Sequence, residues 1–365
     1  MATLPSALAG FANMFGVGTV YAASTFQEQL PRLLGISQQS SYAPFALACL
    51  GLSIGVALSR YHSLGGSSHL CWPFLSYRSF AGILLSFFFG GIGVGLTYLA
   101  VVILIGQAFP NHALAKSAIG PLGFSSGASV CIYLGLALNF DSLSAEDLGR
   151  LVALGGAGCV SIGASTGFLM ATTYKARYPT REKSQSIQGK IFFSVLLFFN
   201  ALPGMKLFGA LLPIVSSHAQ GSSMHFLPFS LIVLTAGGFL APSLNTVLGS
   251  ERTFALLFCL RGCLLVLVSL DNEPGLAFLA FLAILFSHGA GFSIIPDLVK
   301  AKSQLAAHFP HHYSQVLISW GLAGAVGYLI NALSLVLPEA RVLLDFSVGL
   351  VTLLVGLLLC FVSSP

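Results

Sequence analysis

Three basic side chains and one histidine interrupt long apolar runs, and these are the first places to look for chemistry. Lys206 sits in FFNALPGMKLFGALLP, Arg261 in LLFCLRGCLLV, Arg78 in PFLSYRSFAG and His288 in ILFSHGAGFS. A charged side chain inside a bilayer costs about 2.5–3.5 kcal/mol on insertion scales, so each needs a reason to be there. Lys206 has two readings: it holds a substrate carboxylate, or it snorkels outward from past the middle of its helix. His288 titrates in the range that would couple transport to protons, the alternative being a hydrogen-bonded packing histidine. Arg261 and Arg78 read as structural, and Asp297, at the end of the His288 run, as a solvated or gate-forming residue.

Other chemistries find no support. AHFPHH (307–312) has the H-x-x-H-H spacing of a di-iron site, but the remaining histidines are scattered singly, and two irons need several such boxes. No serine nucleophile with a histidine base is discernible. There is no G-x-x-x-x-G-K-[ST] loop for ATP, so the driving force is expected to be an ion or solute gradient. The seven cysteines lack paired C-x-x-C spacing and read as packing residues. A net charge of +5 comes without a basic, aromatic-laced stripe, which argues against nucleic acid. No catalytic residue, cofactor or metal is expected.

The elements that position these residues follow from composition. Hydrophobic residues make up 56% of the 365 and charged residues only 7%, against about 25% charged in soluble domains. Forty glycines fit helices that pack closely in lipid. Spans of roughly 20 apolar residues are expected near 6–28, 42–59, 70–86, 88–108, 114–138 and 150–173, then 190–216, 226–249, 253–270, 274–296, 312–337 and 341–362. The third is short and holds Pro73 and Arg78. Charge placement argues for keeping it. With twelve spans and both termini cytoplasmic, ten Lys and Arg fall on inner loops and three on outer ones, which obeys the positive-inside rule. The N-terminus lacks a basic residue before Arg32, so the first apolar segment is expected to remain as a helix.

The chain also repeats. A shift of 200 residues aligns GIGVGLTYLAVVILIGQAFPNH, from Gly91, with GFSIIPDLVKAKSQLAAHFPHH, from Gly291; Phe109, Pro110, His112 and Gly127 then meet Phe309, Pro310, His312 and Gly327. The expected fold is all-α: twelve transmembrane helices in two six-helix bundles, 1–173 and 191–365, joined by the polar cytoplasmic linker 174–190. Parallel repeats of this kind place a substrate site between the halves, near the midplane.

GFANMFGVGTVYAASTFQEQLPRLLGIS resembles the first helix of the oxalate/formate antiporter-like and monocarboxylate carrier branch of the major facilitators. GIGVGLTYLAVVILIGQAFPNHALAKSAIG is similar to that branch's fourth helix and the loop after it, FSVLLFFNALPGMKLFGALLPI to its seventh helix, and YSQVLISWGLAGAVGYLI to its eleventh. The resemblance implies alternating access acting on small carboxylates, with Tyr21, Tyr98, Asn200 and Trp320 on cavity-lining helices. The loop GVALSRYHSLGG departs from the branch by keeping Arg60 without an aspartate. SLIVLTAGGFLAPSLNTV and ISWGLAGAVGYLINALSLV lack the arginine and lysine that neutralise a dicarboxylate, so oxalate itself is not expected. The expectation is a monomeric cell-membrane carrier of small organic anions, coupled to protons or exchanging anions. The alternatives are a facilitator for a neutral or cationic solute (a drug, nucleoside or amino acid) and a non-transporting sensor.

Overall fold

The computed structural model describes residues 4–22, 27, 29–59, 79–109, 112, 115–116, 118–137, 147, 190–218, 223–270, 273–303 and 308–362, with most side chains of 209–230 outside the description. The described helices are α1 (Leu4–Gly18), continued by a 3₁₀ turn to Ala22, the short α2 (Leu30–Leu34), α3 (Ala43–Leu58), α4 (Phe80–Ala108) and α5 (Gly123–Ala137). They continue with α6 (Lys190–His218), α7 (Ser223–Leu248), α8 (Ser250–Leu270), α9 (Pro274–Lys302), α10 (Phe309–Val336) and α11 (Arg341–Val362). Among the described residues, eight of these helices carry a stretch long and apolar enough to cross a membrane, and two shorter apolar helices, Ala7–Tyr21 and Ile119–Leu134, accompany them. The outward face of α11 exposes Leu343, Leu354, Leu358 and Phe361, which water would not tolerate as a continuous surface and lipid would. The protein is a multi-pass membrane protein.

Helix ends follow local chemistry. Ser79 caps α4 in an extended conformation, its hydroxyl accepting from the Gly82 amide at 3.1 Å. Glu273 caps α9 in the same way, taking the Leu276 amide at 2.6 Å, with Pro274 in the first turn. The cap at Ser79 changes one expectation. Residues 79–86, read as the end of a third span, instead open α4, which runs unbroken from Phe80 to Ala108. No breaker separates 86 from 88, so the helix has no reason to stop. The rest of the predicted third span, the sixth span, the linker up to residue 189 and Arg78 lie outside the described residues.

Close helix pairs reveal the internal repeat. A Cβ on Gly91 of α4 would strike the Ala48 carbonyl of α3, and one on Gly289 of α9 the Leu234 carbonyl of α7. Gly51 meets the Phe88 carbonyl as Gly237 meets that of Phe286. These pairs correspond at a shift of 198 on α4 and α9 (88 on 286, 91 on 289), not 200. The shift of 200 does fit Gly127 and Gly327, which lie against α1 at Phe15 and α6 at Lys206. Gly291 packs instead on the Asn200 side chain, so its match to Gly91 is a likeness of sequence and not of place. The contacts climb α3 and α4 together (Gly51 on Phe88, Gly55 on Ile92), so these two run parallel, and α8, which joins α7 to α9 in the chain, packs mostly on α11.

Two seams join the sets of helices. The broad one packs α3 on α10, the narrower one α5 on α7. Along the broad seam Ser53 Oγ donates to the Ile318 carbonyl at 2.9 Å, and Phe45 stacks on Tyr328 with centroids 4.1 Å apart.

Candidate functional site

A cavity of about 410 Å³ lies between these seams, lined from α1, α4, α5, α7, α9 and α10 and the turn before α5. Its inner end is aromatic. Tyr98 and Trp320 are 4.8 Å apart by ring centroid, Trp320 and Phe292 5.0 Å, and Tyr21 lies edge-on to Phe124 at 4.8 Å. On the Tyr42 side Tyr21 stacks on Phe208 at 4.4 Å, and Tyr328 meets Tyr42 edge-on and stacks on Phe45. On the Lys300 side the cavity reaches the surface past Gln107, Lys116 and Asp297. Charge placement in the sequence expects that side to be cytoplasmic.

The turn before α5, Ala118–Leu122, is a π-helical bulge holding Pro121, and its Gly120 and Pro121 line the wall. Such bulges concentrate at functional sites. At the mouth, Lys116 Nζ donates to both carboxylate oxygens of Asp297, at 2.7 and 2.9 Å. Asp297 is the single lining carboxylate among the described residues, and it is already occupied. Deeper in, Trp320 Nε1 and Ser293 Oγ are buried without a hydrogen-bond partner among the described residues. The Tyr21 hydroxyl is near enough to the Trp320 indole to interact with it, short of hydrogen-bond geometry.

Behind the aromatic wall lies a polar knot that joins α6, α8 and α9. Pro203 has no N–H, so the Phe199 carbonyl one turn earlier loses its helical donor. Arg261 supplies one: Nη2 reaches that carbonyl at 2.8 Å. Its Nη1 donates to the Asn200 carbonyl at 3.0 Å, with longer reaches to Asn200 Oδ1 (3.3 Å) and Ser287 Oγ (3.5 Å). The guanidinium also lies over the Phe258 ring, 4.4 Å from its centroid. Arg261 is fully buried, and no carboxylate pairs with it among the described residues.

His288 completes the knot. Its Nδ1 is 3.2 Å from the same Asn200 carbonyl, while the Asn200 amide returns a bond to the His288 carbonyl at 3.2 Å. A carbonyl only accepts, so Nδ1 carries the proton and Nε2 keeps its lone pair. That lone pair faces the cavity, 3.4 Å from the Tyr21 hydroxyl, which also reaches Met205 Sδ at 3.1 Å. Gly204 makes the fit possible, because a Cβ there would enter the imidazole ring.

Of the residues singled out from sequence, Tyr21, Tyr98, His288 and Trp320 therefore come together on one cavity. Asn200 stands one layer behind, holding His288. Lys206 is not on the cavity: its ammonium is 2.6 Å from Asp345 Oδ1 on α11, so the carboxylate it holds belongs to this chain. Replacing Lys206 with alanine leaves Asp345 unpaired and is expected to destabilise the protein by about 1–3 kcal/mol. Adding Asp345→Ala should restore part of that loss in a thermal melt, and the double variant should retain uptake. Sequence reasoning missed Asp345, Ser293 and Gln107. The acid in VLLDFSVGL was open to the same intramembrane-charge argument that flagged Lys206.

No protein-family model matches the chain, and no curated protein matches it. Among solved structures, the crystal structure of a D-xylose-proton symporter matches over 98% of this chain and 97% of its own, with a TM-score of 0.67 and 15% identity. The fold is the major facilitator fold. Here α3 packs on α10 along the broad seam, and the cavity lies beside it, lined in part by α10.

Proposed function

We propose that this facilitator is a secondary active transporter of small monocarboxylates, working by alternating access and belonging to the oxalate/formate antiporter-like and monocarboxylate carrier branch. The observation that carries the substrate class is the pairing state of the cavity. Among the described residues its lining carboxylate is engaged by Lys116, Trp320 Nε1 and Ser293 Oγ are donors without acceptors, and behind the wall Arg261 has no carboxylate partner. A cationic solute would find no open acid. A small carboxylate would fill the vacant donors, and its apolar remainder suits Phe124, Phe292 and Val102. In this reading the chain is a monomer in the cell membrane with cytoplasmic termini, two six-helix halves (1–173 and 191–365) rock about the site, and Tyr21, Tyr98, Trp320 and His288 touch the substrate.

A second reading, a neutral solute, draws on the fold shared with the D-xylose-proton symporter. A polyhydroxylated molecule would exchange many hydrogen bonds to water for few here, because the inner wall is mostly aromatic. Proteoliposome uptake separates the two. Labelled lactate, pyruvate or formate should enter saturably and faster with an inward proton gradient, and xylose should not. Saturable xylose uptake with no acid uptake would overturn the monocarboxylate reading.

A further inference from the structure

The rings at the inner end of the cavity form a closed circuit. Trp320 meets Phe292 with centroids 5.0 Å apart, Phe292 meets His288 at 4.9 Å, and His288 meets Tyr21 at 6.5 Å. Tyr21 lies edge-on to Phe124 at 4.8 Å, and Phe124 returns to Trp320 at 6.2 Å. Tyr98 adds a sixth ring against Trp320, and all six line the cavity. They come from five elements: the turn after α1, α4, α5, α9 and α10. Close packing in lipid asks for small residues where helices meet, so a convergence of rings on one space has another use. The three rings against Trp320 are inclined to it by 60°, 68° and 56°. A flat guest would therefore meet faces on some sides and edges on others, the two arrangements that aromatic pairs prefer.

Size and polarity point the same way. At about 410 Å³ the cavity is more than an acid of three carbons fills, and it falls in the range of about 300–1,000 Å³ that holds drug-sized ligands. The open donors belong to the circuit. Trp320 Nε1 is part of one of its rings, and Ser293 follows Phe292 in the chain. An indole N–H points outward in the ring plane, so an acceptor held by it sits at the rim of the aromatic wall. We propose that the substrate is an aryl monocarboxylate: one carboxylate on a short link to one aromatic ring, the carboxylate on Trp320 and Ser293 and the ring against the circuit. This rests on the monocarboxylate reading and narrows it. An aliphatic acid of equal size gains burial without the ring contacts. A dicarboxylate carries its second charge into an apolar wall. An aromatic amino acid brings an ammonium to a lining whose described carboxylate, Asp297, is held by Lys116. Phe292, which touches both Trp320 and His288, is the specificity-determining ring.

The test is calorimetric binding to the purified full-length protein, with phenylacetate, cyclohexylacetate and lactate as probes. Wild type should bind phenylacetate about tenfold or more tightly than lactate, through the added apolar burial. It should prefer phenylacetate about three- to tenfold over cyclohexylacetate, the same acid with a saturated ring. Phe292→Leu should cut that second ratio to half or less. Should Phe292→Leu fail to fold, the wild-type affinities decide. Lactate or cyclohexylacetate binding as tightly as phenylacetate, or an undiminished ratio in folded Phe292→Leu, would overturn the proposal while leaving the monocarboxylate reading intact. Phenylalanine binding as tightly as phenylacetate would overturn it in favour of aromatic amino acids. Equal binding of 2-phenylethanol, which has the ring and no carboxylate, would overturn the monocarboxylate reading and this proposal together, as would no binding of any of these acids by folded wild type.

Discussion

Trp320→Phe lowers the apparent affinity for a small carboxylate about tenfold or more, and Trp320→Leu lowers it further, to about a hundredfold. The first loss comes from one atom. Nε1 is buried and has no hydrogen-bond partner among the described residues, and a hydrogen bond to a charged group is worth about 1.5–3 kcal/mol, which is about tenfold or more in affinity. Phenylalanine keeps an aromatic face toward Tyr98 and Phe292, at 4.8 and 5.0 Å, so the wall survives while the donor goes. Leucine also removes those ring contacts, each worth about 0.5–1.5 kcal/mol beyond area, and leaves a void beside Phe124. The measurement is KM for uptake of labelled lactate, with a thermal melt to show that each variant is folded. If Trp320→Phe transports with unchanged KM, the indole N–H does not meet the substrate. A neutral solute recognised by its apolar body would give that result.

The same residues show what sequence could and could not tell. Trp320, Tyr98, Tyr21 and His288 were legible as candidates because each falls on a span whose length and apolarity lipid dictates. That they share one cavity depends on how α1, α4, α9 and α10 cross, and apolar helices carry little periodic signal of facing. The break expected near residue 87 failed for a related reason: an unbroken apolar run has no internal mark of where a helix begins, and the mark lay at Ser79, in a cap outside the run. Lys206 kept two readings because its partner, Asp345, lies in the last helix, far off in the chain. Arg261 was read as structural. One clue to its true place was present: Pro203 strips a donor from the Phe199 carbonyl, so α6 needed a cation or donor from elsewhere. Which helix would supply it only the packing could say.

Gly91→Ala should be among the most damaging single methyls in the described helices. Its added carbon would overlap the Ala48 carbonyl, a backbone atom that no side-chain rotation can move. The helices α3 and α4 must then part, and overpacking of this kind costs about 1–3 kcal/mol or more. Gly106→Ala on the same helix is the control, because nothing lies within 4 Å of its added carbon. Alanine there should be neutral or stabilising by up to about 1 kcal/mol through helix propensity. The pair is read by melting temperature in detergent, where Gly91→Ala should melt several degrees lower and Gly106→Ala should not. Equal melting of the two would mean that α3 and α4 do not approach so closely. The consequence also reaches the site. Helix α4 carries Tyr98 against Trp320, and α3 carries Phe45 and Ser53 against α10. Prising the two apart loosens the cavity wall and the broad seam at once, so Gly91→Ala protein that does fold should transport with raised KM and leak between the two faces. Lipid offers helices no hydrophobic drive to associate, and backbone contact at such glycines is what holds the pair together.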